Sequence, residues 1–468
     1  MSNLLKMPKA QPSANREGQF ERFQLTENPF PTEPVNKDSS DRRVNGGIYE
    51  SDIRTQEYKM VEEAFLKPPQ TDRNRLRLGY ICDTSYIGRG NGKSAFLVNL
   101  VHRINKNYCL DISDEVNKCF AIYVTPEPGG RTKTFPGFVD LIFDSMIQSG
   151  IIDVSLAGLR LRAAQDLHPA KNLIALTNGE ERDIVQRVNA REWYDNLGIS
   201  YAEIASSMLE NPYLQSLPNE FPLMSDRSAM FHRFVTTNDF SEYYQTLHRG
   251  RPRLDFVLSH MVQMYYAAGF NGAYVLVDDF ERIPDFQTGR QRKDFAIELR
   301  SALLDGPYAS AKDGFYNMLL VLHAGVPQLI REAWMTSGLG NRYSLDATIQ
   351  SKHWIPFGKL SRDHVLLLLK KYLTAYRVPQ ASCDSLAPFK QEAIDYIADN
   401  SEFNAARILR TCWDLLEKAA QDPQRDVIDE AFVRENTDKQ NYDSSEPNPT
   451  IENQRVTNLP QKAREGQS

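Results

Sequence analysis

From Gly88 to Ser94 the chain reads GRGNGKS, and Gly90, Gly92, Lys93 and Ser94 are spaced as in a loop that holds phosphate. Glycine lets backbone N–H groups close on an anion, because nothing projects from Cα into the space. A lysine after the last glycine can reach the outer phosphates of a nucleotide, and the hydroxyl that follows can take Mg2+. Gly88, Arg89, Gly90, Asn91, Gly92, Lys93 and Ser94 are therefore the candidate phosphate-binding residues. The full pattern, G-x-x-x-x-G-K-S, asks for glycine where Ile87 stands, and Gly88 is expected to make the same turn one place later. An ordinary loop that happens to contain G-K-S is the alternative. A strand before it, a long apolar helix after it and a second motif downstream argue for phosphate.

That second motif is YVLVDDFERI, 274–283, an apolar run that ends in Asp278 and Asp279. Ligands of open α/β sheets gather at the carboxyl ends of the strands, which is where this run delivers its carboxylates. Asp278 is expected to hold Mg2+ together with Ser94, and Asp279 to polarise an attacking water. The alternative is a surface turn that carries two aspartates by chance.

The elements needed to position these residues are readable around them. RLRLGYIC, KCFAIYVTP, AYVLVDD, NMLLVLHAG and HWIPFG are short runs dense in apolar and β-branched residues, and they read as strands. Helical patterns lie between them, so the fold class is α/β, a parallel sheet covered on both faces. Residues 46–358 form the expected nucleotide-binding domain, interrupted by a helical insertion over about 151–253. A small all-α unit follows at 359–436. The polar stretches 1–45 and 437–468 are expected to be a disordered arm and tail.

Composition sets outer bounds. Of 468 residues, 41% are hydrophobic and 25% charged, as in globular chains, and the net charge is -6. That balance speaks against a protein that coats nucleic acid non-specifically, although a local basic patch is compatible with it. No apolar run approaches the ~18 residues that span a bilayer, so no membrane association is expected. The N-terminus has no uninterrupted apolar core of a secretory signal. The five cysteines show no C-x-x-C spacing and are expected to be reduced thiols of a cytoplasmic protein.

The phosphate loop, the acidic strand end and the final helices together resemble the AAA+ class of P-loop ATPases. The likeness leans to the origin-recognition-like branch and to the related signal-transduction ATPases with numerous domains. It covers roughly 49–420, without the insertion. It implies ATP and Mg2+ as cofactors, and assembly into a homo-oligomer. It also implies three further site residues. His323, at the end of NMLLVLHAG, stands where this class senses the γ-phosphate, although a hydrogen-bonded core histidine is the alternative. Arg407 in NAARILRTCW, with Arg410 one turn later, matches the arginine of the helical lid, or else is a solvated helix-face arginine. Arg342 is the candidate for the arginine that reaches a neighbouring subunit's site, with Arg331 and Arg300 as rivals. The acidic pair departs from the class pattern, which usually has Asp-Glu. The shorter Asp279 implies slow hydrolysis.

One more stretch, RGRPR at 249–253, is similar to the core of an AT-hook, whose arginines lie in a narrow minor groove of DNA. A proline-initiated helix start with Arg249, Arg251 and Arg253 exposed is the favoured reading. Apolar patterning ends near 420–435, so no DNA-binding winged helix is expected after the lid. Two functions follow as expectations. One is an oligomeric ATPase that regulates or remodels a DNA-associated complex. The other is a slow nucleotide-gated switch or scaffold that controls a protein effector, with no direct DNA role.

Overall fold

The structure is a computed structural model that describes residues 18–67, 76–84, 90–127, 129–130, 132–176, 179–224, 234–346, 351–379, 381 and 385–443. The chain divides into two compact units, Val35–Lys359 and a second formed by Met1–Pro34 with Leu360–Ser468.

The larger unit is built on five parallel strands: β1 (Leu78–Asp83), β2 (Cys119–Val124), β3 (Gly272–Val277), β4 (Tyr316–Leu322) and β5 (Trp354–Phe357). Each of the five expected strands is present, in the order β2-β3-β4-β1-β5, and all pairings are parallel. These strands are buried on both faces, so they read as continuous apolar runs rather than alternating ones. Alternate residues nevertheless serve two cores, as the two-residue period of a strand requires. Ile81, Ala121, Leu276, Val321 and Ile355 face one side. Tyr80, Ile122, Val275 and Leu320 face the other.

Two helices cover the first face: α1 (Thr55–Val61), extended to Leu66, and α2 (Lys93–Lys106). In α2 the apolar residues Phe96, Leu97, Leu100 and Ile104 recur at helical spacing and are fully buried. Further along, Asn105 donates to the carbonyl of Ala121 at 2.9 Å and accepts from its N–H at 2.7 Å. β2 is an edge strand, and the one amide side chain satisfies both backbone groups of Ala121 and fixes α2 against it.

The second face carries everything else, including α3 (Phe135–Gln148), α4 (Ile151–Leu167) and the helices between 181 and 267. The helical insertion thus shares one core with the sheet. It is pinned from inside by Arg160, 1% exposed, which donates to Asn189 and to the carbonyl of Val235 and lies over the Phe234 ring. Helices α3 and α4 are bent by 60° to one another, and no single helix among the described residues is long and apolar enough to cross a membrane.

The smaller unit packs the helices Arg362–Ala375, Gln391–Asn400, Ala405–Gln421 and Glu430–Asp443, the last running past the expected boundary at 436. The expected disordered arm over 1–45 does not hold for 18–45. Phe20, Phe23, Leu25 and Phe30 are buried within this unit, with the Phe30 ring between Tyr372 and Phe389. Asn28 donates to the Trp413 carbonyl and to Glu417. Residues 35–45 close a turn of the larger unit, from the Asn36 N–H to the Val44 carbonyl. These apolar residues are too few and too irregular to signal a core of their own, because they complete a core made by helices far along the chain.

Candidate functional site

β1 passes the chain to β2 on one side, while β4 passes it to β5 on the other. Connections that leave two neighbouring strands in opposite directions open a crevice at their carboxyl ends. Three strands deliver side chains to that edge. Cys82 pairs with Leu322 in register, so the next residues, Asp83 and His323, lie side by side. Val277 pairs with Leu320, and the next residue is Asp278.

The described part of the phosphate loop begins at Gly90. Gly90 and Gly92 both have positive φ, 113° and 88°, a conformation that side chains other than hydrogen rarely adopt. A Cβ built on Gly92 would meet nothing within 4 Å, so its outer side is open space. Gly92 is also the N-cap of α2, and no side chain caps that helix. Its first N–H groups and the positive end of its dipole are thus available to an anion, with Lys93 and Ser94 as the first two helical residues. Ile87, Gly88 and Arg89 lie outside the described residues.

Lys93 already has a partner. Its Nζ donates at 2.5 Å to Oδ2 of Asp83, whose side chain is fully enclosed, while Asn91 Nδ2 donates at 3.1 Å to Oδ1. Behind the loop, Arg54 donates to the Asn91 carbonyl at 2.9 Å and to the Gly358 carbonyl at 3.0 Å. It pairs with Glu57 and lies over the Phe357 ring. The start of α1 is tied in this way to the loop after β1 and to the end of β5.

The acidic pair splits into two environments. Asp278 is 4% exposed and accepts the Tyr123 hydroxyl at 2.6 Å. Burial first, and then the Asp278 charge, pushes the Tyr123 hydroxyl well above its ordinary pKa, so it remains a proton donor to that carboxylate. The other Asp278 oxygen accepts the Asp279 N–H at 3.0 Å. Asp279 is left-handed, at φ 46°, as the chain turns into the short helix Phe280–Arg282 that buries Phe280. Its carboxylate is ion-paired with Arg282, which also donates to the Pro126 carbonyl. Asp279, the residue expected to polarise an attacking water, is thus held by an arginine.

His323 is half-buried at the end of β4. Arg342 is exposed and closes the short helix Leu339–Arg342. The next residue, Tyr343, accepts the Arg77 N–H ahead of β1, so Arg342 belongs to the opposite edge of the sheet. Of its rivals, Arg331 is paired with Asp346 and Arg300 with Asp305. Arg407 is in the smaller unit, in the first turn of its helix and paired with Glu402. The helix start favoured for RGRPR is present as Arg251–Asp255. Its arginines are not all free: Arg253 is paired with Asp140 at 3.0 Å over the Tyr244 ring, and Arg251 with Asp255 at 2.8 Å.

Ser94 and Asp278 suit Mg2+, a hard cation that keeps several waters and is shared between one or two protein groups and substrate phosphates. No group of three or more His, Cys, Asp or Glu side chains placed to hold a metal occurs among the described residues. Three residues of this edge went unrecognised in the sequence. Asp83 and Tyr123 carry a signal, each a polar group at the carboxyl end of an apolar strand, whereas Arg54 carries none. No family model, curated protein or solved structure matches this chain.

Proposed function

We propose that this chain is a Mg2+-dependent ATPase of the AAA+ type that binds ATP at the edge formed by β1, β4 and β3 and hydrolyses it slowly. The observation that carries the reading is a juxtaposition. The two positive-φ glycines, the uncapped start of α2, Lys93 and Ser94 occupy the same sheet edge as the buried carboxylate Asp278. The α2 N-terminus and the loop amides receive the phosphates, and Lys93 neutralises the outer ones. Ser94 and Asp278 would hold Mg2+, which would supply charge neutralisation at the phosphates. Tyr123 keeps Asp278 oriented. Asp279 serves as the water-polarising group only after it leaves Arg282, which accords with slow turnover. Arg342, exposed at the opposite edge, suits contact with the site of a neighbouring copy.

The pairing of Asp279 with Arg282 favours, as the biological role, a nucleotide-gated switch acting on a protein effector. Ion pairing at Arg251 and Arg253 leaves Arg249 as the more available cation for DNA, so a DNA-associated complex is the second reading. Rates of ATP hydrolysis for the wild type, Lys93→Ala and Asp278→Asn, with and without duplex DNA at two salt concentrations, test both. A slow rate lost in both variants and indifferent to DNA supports the switch. A DNA-stimulated rate that falls with salt supports the second role. Absence of ATP binding by the wild type overturns the proposal as a whole.

A further inference from the structure

We infer that Asp83 is an internal counter-ion that sets the nucleotide affinity of this edge, by competing with phosphate for Lys93. The inference rests on the reading of the edge as a nucleotide site. Asp83 ends β1, which is paired with β4 on one side and β5 on the other, and is itself in register with Phe357 of β5, so its backbone is held by the sheet. Its carboxylate has no exposed surface, and Lys93 is the cation paired with it among the described residues. The second donor, Asn91, is fixed in turn by Arg54, which holds the Asn91 carbonyl. Of the three residues in this network, the long lysine side chain is the part that can move.

Lys93 is also the residue that phosphate needs. Drawing its ammonium toward a phosphate leaves a buried carboxylate with only an amide donor, beside newly arrived negative charge. An uncompensated buried charge is strongly unfavourable, so the carboxylate opposes nucleotide binding. Mg2+ arriving with the phosphates offsets that penalty, which makes affinity depend on Mg2+. If Asp83 merely braced the loop, removing its charge would weaken binding or leave it unchanged.

The test is calorimetric titration of ATP and of inorganic triphosphate into the wild type, Lys93→Ala, Asp83→Asn, Asp83→Ser and Asp83→Glu. Each is measured with Mg2+ and with chelator, after circular dichroism confirms folding. Wild-type binding that is lost in Lys93→Ala establishes the underlying site. No wild-type binding, or equal binding by Lys93→Ala, removes that site and the present inference with it. Given the site, the inference expects Asp83→Asn and Asp83→Ser to bind both ligands at least tenfold tighter than the wild type, with the larger gain in chelator. Asp83→Glu keeps the charge and is expected not to gain affinity. Equal or weaker binding by the neutral variants overturns the inference. Should neither neutral variant fold, the side-chain carboxylate 13C resonance of Asp83 in the wild type, assigned by its absence in Asp83→Glu, decides: a shift on binding triphosphate that Lys93→Ala lacks supports the counter-ion, and an unmoved resonance contradicts it.

Discussion

Gly90-Asn91-Gly92-Lys93 and Arg249-Gly250-Arg251-Pro252-Arg253 are both short runs in which glycines separate polar and cationic residues, and both lead into a helix. The first starts a helix of 14 residues, anchored by five buried apolar side chains and by Asn105, at the carboxyl edge of a parallel sheet. The second starts a helical run that continues from Arg251 to Ala267, and there Asp140 and Asp255 neutralise two of the three arginines. Charge pattern alone made both candidates for binding anions. What separates them is the origin of the nearest carboxylates. At the RGRPR turn they come from one turn along the same helix and from α3, and they quench the cations in place. At the phosphate loop the quenching carboxylate is Asp83, alone and enclosed, beside open space in front of Gly92.

The comparison can be broken from either side. The largest effect is expected for Lys93→Ala, which removes a charge-assisted contact to phosphate and should weaken ATP binding by about 100-fold, read by calorimetry. Asp278→Asn comes next: binding of ATP should survive, while Mg2+-dependent hydrolysis falls by about 100-fold in a steady-state assay. On the other side, Arg253→Ala should act on stability rather than on ligand. Its pair with Asp140 is mostly buried, and loss of one partner costs about 2 kcal/mol, seen as a melting point lowered by several degrees. Smallest is Arg251→Gln, whose exposed i,i+4 pair contributes at most about 0.5 kcal/mol, with no measurable change in melting. A salt-sensitive loss of DNA binding in the Arg249→Gln, Arg251→Gln double variant would erase the distinction between the two runs.

Much of the scaffold was legible in the sequence, because each strand of this sheet is a compact run of apolar residues bounded by turn formers. Leu78–Asp83 and Gly272–Val277 are buried along their whole length, and such runs announce themselves. The buried N-terminal residues were not legible, since Phe30 owes its place to Tyr372 and Phe389, more than three hundred positions away. At the site, the glycines and Lys93 were found because their spacing is local. Asp83, Tyr123 and Arg54 act across strands. Asp83 and Tyr123 owe their places to register, which sets Asp83 beside His323 and Tyr123 against Asp278, and no local pattern encodes register. The Arg282 hold on Asp279 was close in sequence, three residues apart, yet it depends on the left-handed turn at Asp279.

The most direct measurement is the titration of Mg2+-ATP into the wild type and Lys93→Ala, with melting curves to show that both are folded. Saturable one-site binding by the wild type and its loss in the folded variant are the expected result. Equal binding by the two, or none by a folded wild type, would contradict the assignment of the β1–α2 edge as a nucleotide site.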